Sequence, residues 1–319
     1  TKRTPAIALL LWAGAGFFAF SGCTAKIEPP LRVGAIVWTG YEPLFLARTL
    51  GKFDETAIKL VEYPNTPEVI RSFQNGAIEV AAMTGDEFLR LAADDPDVRI
   101  VLFIDFSRGA DALVATPQFD CVKELKRHRI GVEVNSPGVF LLARALESAS
   151  MTARDVEVVP IENDQHVSEF KGGKVDAVIT FEPHRSKLLQ AGGHVLFDSA
   201  QIPGEIVDFL VVRKSLIETR RKSLEMLIRA WFEAREYLIA ERKSACAKMA
   251  LREQVSPAEM EKSLSLIEIP SLEKNRELLV TARQKTYENF KAMHQEMLRS
   301  GISSGALPEI ASLEGGLLP

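Results

Sequence analysis

Cysteine and histidine are both scarce in this chain. Its 319 residues hold three cysteines, Cys23, Cys121 and Cys246, and five histidines. No His, Cys and Asp stand at a spacing that reads as a metal site. No phosphate-cradling loop, HExxH or GxSxG occurs, so the common signatures of nucleotide, zinc-protease and serine-hydrolase chemistry are missing. An excess of either charge is missing too: 39 basic residues face 43 acidic ones, for a net charge of −4, and Lys and Arg are scattered. Nothing marks a nucleic-acid face, and no cofactor or metal is expected. The remaining composition, 46% hydrophobic and 26% charged, is that of a globular chain long enough for two domains.

The N-terminus carries the strongest local signal. Lys2 and Arg3 are followed by an uncharged apolar run from Ala6 to Phe20, short for a membrane span and suited to the h-region of a secretory signal. It ends in Phe20-Ser21-Gly22-Cys23, which resembles a bacterial lipobox with Phe where Leu is usual. The expectation is a signal peptide over 1–22, a lipid-modified Cys23, and a spacer over 23–30 ending in prolines. A lipid at Cys23 tethers a protein to a membrane surface without spanning it. A plain signal peptide and an uncleaved anchor remain open. Cys246 sits among Ala245, Ala247 and Met249 in a helical pattern and reads as a buried free thiol.

The rest of the chain is organised around Leu31–Phe53. Leu31 to Trp38 alternates and is β-branched, like a strand entering a core. Thr39-Gly40-Tyr41-Glu42-Pro43 breaks it, and a helix follows to a stop at Gly51. Strands are expected at Ile58–Tyr63, Ile78–Met83, Val98–Phe106 and Ala110–Ala115. Between them lie a helix capped by Thr66 with Pro67 behind it and another capped by Thr84 or Asp86. A second βα-rich block begins near Phe119, with a short basic helix over Val122–Arg129 and a strand over Ile130–Val134. Ser136 and Pro137 then open a helix. Further strands are expected at Val156–Ile161, Val175–Thr180, Val195–Phe197 and Ile206–Val212. From Lys214 the apolar residues recur at helical spacing, with helices through Ala258–Leu266 and Leu278–Leu298. Gly301 to Pro319 reads as a loosely packed tail.

Several segments together resemble one family. They are the lipobox, GAIVWTGYEPLFLAR, the turn TGDEF, DFSRGADALVA, KELKRHRIGVEVNSPGVFLLARAL, and FEP. From Leu31 to Leu298 the chain resembles substrate-binding lipoproteins of ABC transporters, in the branch that binds nitrate, sulfonates, taurine or the pyrimidine precursor of thiamine. The resemblance implies an α/β, type II periplasmic-binding-protein fold: two α/β lobes joined by a two-strand hinge, with the ligand between them. It places 31–116 plus 209–300 in lobe 1, 117–208 in lobe 2, and 301–319 in a tail. It implies an ABC permease as partner, a monomer, and a periplasmic or cell-surface location at the lipid anchor.

By the same resemblance the ligand-binding residues are Trp38, Thr39, Gly40 and Tyr41 after the first strand, and Thr84 with Asp86 at the next turn. Ser107 and Asp111 follow near the hinge. Asn135, Ser136, Gly138 and Glu182 come from the second lobe, and Asp208 from the return crossing. Gly85, Gly109, Pro137, Phe181 and Pro183 flank them. Trp38, Tyr41 and Phe181 offer flat apolar walls, and N–H groups after Ser136 favour an oxyanion. Asp86, Asp111 and Glu182 ask for donors or positive charge. The acidic set leans toward a nitrogen-containing heterocycle or amine, such as a thiamine pyrimidine precursor; a sulfonate, taurine or nitrate receptor, or a ligand sensor without transport, is the alternative. Structural roles also stand open: Asp86 capping its helix, Asp111 bonding in its turn, Glu182 pairing with Arg185. His184 has a weaker claim to the cleft, beside His166. An enzyme is not expected. Replacing Cys23 by Ser is expected to release the protein from membranes on fractionation; full retention would point instead to an uncleaved anchor.

Overall fold

The computed structural model describes Thr1 and residues 28–134, 136–302 and 305–319. The signal-peptide segment, Cys23 and Asn135 lie outside the described residues. Chain order runs β1 (Leu31–Ala35), α1 (Glu42–Thr49), β2 (Ile58–Glu62), α2 (Thr66–Gln74), β3 (Val80–Thr84), α3 (Gly85–Asp94) and β4 (Val98–Ser107). After a first crossing come β5 (Asp111–Ala115), β6 (Arg129–Val132), α4 (Pro137–Ser148), β7 (Glu157–Pro160), α5 (His166–Lys171), β8 (Ala177–Phe181), α6 (His184–Gln190) and β9 (His194–Asp198). After a second crossing come β10 (Val207–Arg213), α7 (Lys214–Thr219), α8 (Arg221–Ala240), α9 (Arg242–Glu253), α10 (Pro257–Leu264), β11 (Ile267–Glu268), α11 (Leu272–Arg276) and α12 (Arg283–Arg299).

These elements form two sheets, ordered β11-β4-β10-β3-β1-β2 and β7-β6-β8-β5-β9. In the first, β1 lies parallel to β2 and β3, whereas β10 runs antiparallel to both β3 and β4. In the second, β6 is parallel to β7 and β8, and β5 is antiparallel to β8 and β9. Central strands are the ones buried on both faces: all of β3 is buried, as expected where helices cover a sheet from both sides. Helix starts follow local chemistry. Asn65 accepts the Glu68 N–H at 3.0 Å with Pro67 in the first turn, and Ser136 accepts the Gly138 N–H at 3.1 Å ahead of α4. The 20-residue α8 buries Leu224, Leu227, Ile228, Trp231 and Leu238, the three-and-four spacing of a one-faced helix.

Four expectations are corrected. β5 pairs with β8 and β9, so residues 111–115 belong to the second sheet and the first crossing lies at 108–110, not after 116. The basic stretch 122–129 makes only a 3₁₀ turn over Val122–Leu125 before β6 begins at Arg129. The cap of α2 is Asn65, not Thr66, because the Asn side chain reaches the third N–H. The tail is packed: Leu313 and Leu317 are buried, and Leu313 bridges to Ile100. β11 covers only Phe106 and Ser107 of β4, so the tail shields more of that edge, which would otherwise stay open to pairing.

Between β4, β10, α3 and α12 sits an aromatic cluster. Phe209 meets Phe103 at 4.8 Å, Phe290 at 5.4 Å and Phe88 at 6.0 Å, all edge to face. Such contacts add about 0.5–1.5 kcal/mol per pair beyond area burial. Phe209→Ala is therefore expected to cost about 3–5 kcal/mol in a denaturant titration; a loss under about 1 kcal/mol would mean that the cluster closes over the gap.

Candidate functional site

The two crossings make a hinge whose first strand needs a special backbone. Gly109 has φ +111, a region that side chains rarely tolerate. Its N–H donates to Ser199 Oγ at 2.6 Å, and Ser199 Oγ also lies 2.7 Å from Ser107 Oγ. The Asp111 N–H donates to Ser107 Oγ at 3.2 Å. Ser107 and Ser199 are both fully buried, so a small polar knot ties the two crossings together.

Beyond the carboxyl ends of the strands, the two sheets face one another across a cleft. Ile36, Trp38, Tyr41, Thr66 and Thr84 line it from the first sheet's side, Asp111, Ile206 and Asp208 from the hinge, and Pro137 and Phe181 from the second sheet's side. The space left is about 30 Å³, room for one or two water molecules. Rim contacts hold it narrow: Asn163 Nδ2 to the Pro64 carbonyl at 3.2 Å, and Gln190 Nε2 to Glu259 Oε1 at 2.6 Å.

The lining combines two opposite electrostatic features. Thr66 begins α2, Thr84 caps α3, and Pro137 begins α4, so three helix N-termini, each with partial positive charge, converge on the cleft. The charged side chains of the lining, in contrast, are Asp111 and Asp208, with no Lys, Arg or His among them. Burial pushes the Asp111 carboxyl up to about 7, against the pull of its Ser107 hydrogen bond, and Asp111 Oδ2 has no partner. Burial first, then the neighbouring Asp105, raises Asp208 well above the ordinary carboxylate range.

The loop after β1 is anchored into the floor. Trp38 Nε1 donates to Asp105 Oδ2 at 3.0 Å, and Tyr41 Oη donates to Asp208 Oδ1 at 2.7 Å. Gly40 passes between them: a Cβ there would fall 1.8 Å from Asp105 Oδ2 and 2.3 Å from Trp38 Nε1. Trp38 also meets Phe181 edge to face at 5.8 Å across the cleft.

Of the residues expected from sequence, Trp38, Tyr41, Thr84, Asp111 and Asp208 line the cleft, with Pro137 and Phe181 beside them. The other described ones, apart from Gly40 in the loop between Trp38 and Tyr41, are engaged elsewhere. Thr39 Oγ1 donates to Glu253 Oε2 at 3.2 Å. Asp86 accepts from Arg90 and from Thr84 Oγ1, both at 2.7 Å. Ser107 belongs to the hinge knot. Ser136 caps α4, and Gly138 donates its N–H to that cap and packs near Ile179 and Val132. Glu182 is fully buried and accepts from Arg185 at 3.3 Å and from Ser186. His166 and His184 stand behind Phe181, and burial pushes their imidazoles down to about 3 and about 4.

Sequence reasoning missed Ile36, Thr66 and Ile206 in the lining, and Asp105, Glu87 and Glu253 beneath it. Asp105 and Glu87 are fully buried; an acid inside the apolar run 98–106 was the available signal. Burial pushes Glu87 up to about 8, with the Asp86 charge adding to it. Burial, then Glu42, does the same to Glu253. Among the described residues no group of three or more His, Cys, Asp or Glu is placed to hold a metal ion, and no helix is long and apolar enough to cross a membrane. Cys121 is exposed and Cys246 buried, both free.

A family model described as the NMT1-like family matches residues 25–252. A putative aliphatic sulfonates-binding protein of Escherichia coli (strain K12) is 25% identical over 203 residues, 62% of this chain and 63% of that protein; the match thus spans under two thirds of the curated relative. The alkanesulfonate-binding protein of Xanthomonas axonopodis pv. citri, solved bound to MOPS, superposes with a TM-score of 0.69 at 20% identity, over 91% of this chain and 98% of that one. A desulfurization enzyme superposes at 0.61 with 14% identity, over 91% and 98%. The fold is that of the periplasmic binding proteins.

Acids whose native pKa is raised bind protons more tightly folded than unfolded. Their contribution is full below the unfolded value near 4 and is lost as pH rises through about 7 for Asp111 and Asp105 and about 8 for Glu87. The thermal midpoint is expected to be higher near pH 6.5, above the range in which the buried His166 and His184 add stability with rising pH, than near pH 8.5, with Glu87→Gln flattening that fall. A midpoint that rises toward alkaline pH would show these groups to be ionised in the native protein.

Proposed function

Because the chain belongs to the NMT1-like family, we propose that it is the solute-binding component of an ABC importer, and that its solute is a small organic sulfonate which also carries a cationic nitrogen. The observation that carries this reading is the cleft itself: residues from both sheets line one small space across two chain crossings. A solute that touches both walls stabilises the closed arrangement more than the open one, and this differential contact drives hinge closure. Lobe 1 is then 31–107 plus 207–319, and lobe 2 is 111–198 with its connections.

Two features support a doubly charged solute. Three helix N-termini favour an oxyanion without needing a basic side chain. Asp111 and Asp208 favour a protonated nitrogen, with Trp38 and Phe181 as walls that suit a cation or a short apolar chain. The two sulfonate-binding relatives support the anionic end. The lean toward a bare amine or nitrogen heterocycle, including a thiamine pyrimidine precursor, gains no support from them, so the sulfonate replaces it and the cationic nitrogen is kept. A desulfurization enzyme shares the fold, and fold alone does not choose between binding and catalysis; the names of the two sulfonate-binding relatives favour a receptor. The receptor works as a monomer at the periplasmic or cell-surface face of the membrane, tethered at Cys23, and hands its solute to the permease.

A thermal-shift comparison of taurine, ethanesulfonate and 4-aminopyrimidine tests this. Ligand at about a hundred times its Kd adds about 2.7 kcal/mol to native stability. Taurine is expected to raise the midpoint most, ethanesulfonate less, and Asp111→Ala, which leaves Asp208 in the lining, should narrow the difference between them. A shift with 4-aminopyrimidine alone would overturn the sulfonate.

A further inference from the structure

The floor of the cleft contains two acids side by side. Asp105 and Asp208 face each other on the neighbouring antiparallel strands β4 and β10. Both are buried, 0% and 2% exposed, and residues directly opposed on an antiparallel pair carry their side chains on the same face, with Cβ atoms about 5 Å apart. These are the strands that lead into and out of the hinge. Each acid already receives one donor, Asp105 from the Trp38 indole and Asp208 from the Tyr41 phenol. Asp105 Oδ1 receives none.

The surroundings hold further acid and, among the described residues, no cation placed on the pair. Asp208 is faced by Tyr41 from the loop after β1, by Asp105 from β4, by Asp111 from β5 and by Glu87 from α3. Asp105 is faced by Trp38, Asp111 and Asp208. Arg90 of α3 is held by Asp86, and Arg185 of α6 by Glu182. Two carboxyls buried side by side with no cation between them do not both ionise; one keeps a proton that the other accepts. A proton on the pair also supplies a donor where Asp105 Oδ1 lacks one.

We propose that Asp105 and Asp208 share one proton at neutral pH, and that the cationic nitrogen of a solute seated against Asp208 takes the place of that proton, which leaves to solvent. The second half rests on the zwitterionic reading above. Charge balances in the exchange: one proton departs as one positive nitrogen arrives, and both acids then stand ionised against it. Such a floor discriminates by charge. A neutral or purely anionic solute cannot displace the proton, and meets a protonated pair rather than a counter-charge. Asp208, which lines the cleft, is the specificity-determining residue, and Asp105 positions its proton.

Two measurements test this on the full-length chain. Infrared spectroscopy near pH 7 is expected to show the carbonyl stretch of a protonated carboxyl that is lost in both Asp208→Asn and Asp105→Asn, with circular dichroism confirming that the variants fold. A spectrum in which neither substitution removes such a band overturns the shared proton. If one variant fails to fold, the other decides the point; if both fail, the protonated-carboxyl band of the native chain is followed as taurine is added near pH 7, and a band that bound taurine leaves unchanged overturns the proposal. Calorimetry with taurine near pH 7, in buffers of different ionisation enthalpy, is expected to report about one proton released per molecule bound. Binding heat that does not depend on the buffer overturns the exchange. A protonated band with no taurine binding at all leaves the proton on the pair and instead overturns the ligand reading, and the exchange with it.

Discussion

The cleft depends on two hydrogen bonds that run from one loop into one pair of buried acids. Trp38 and Tyr41 form the first wall, and both are held from below, by Asp105 and Asp208. The acids stand on β4 and β10, the strands from which the chain leaves for the second sheet and to which it returns. The wall, the floor and the hinge are thus one mechanical unit. Gly40 is what lets the loop descend so far, since any side chain there would collide with the Asp105 carboxyl.

That arrangement carries an electrostatic cost that shapes the rest of the site. Burying a carboxyl without a cation pushes it toward the neutral form. Asp105, Asp111, Glu87 and Asp208 are all displaced in this direction, and for each burial is the leading cause. The acids that do have cations, Asp86 with Arg90 and Glu182 with Arg185, stand outside the lining and pin the starts of α3 and α6. The cleft therefore sorts its acids into two kinds: paired ones that build helix ends, and unpaired ones that leave capacity for positive charge from a solute. Helix N-termini supply the opposite sign from the backbone, which needs no side chain and no extra burial of charge.

The two-sheet fold was legible wherever the signal was local. Alternation marked β1 and β2, a strand-like apolar run marked β4, Ser136 and Pro137 marked the start of α4, and three-and-four spacing marked α8. What was misread depended on partners distant in sequence. Nothing within Asp111–Ala115 says whether it pairs with β4 or with β8 and β9. Nothing in the Gly- and Ser-rich tail says that Leu313 fits against Ile100 at an open sheet edge.

At the site, local sequence was enough to mark which loops meet the cleft, because turn residues after a strand in an α/β sheet lie at its carboxyl end. It also determined that the aromatic walls are Trp38, Tyr41 and Phe181, and that acids outnumber bases among those loops. Which acids remain available was set by the folded arrangement of the strands. Asp86 and Asp111 look alike in sequence, each a short acid beside a turn, yet one finds an arginine four residues along its own helix and the other finds only Ser107. Asp105 is invisible as a site residue until β10 is laid beside β4. The physical reason is that a buried charge takes its meaning from its partners within a few ångströms, and here those partners come from strands more than a hundred residues apart.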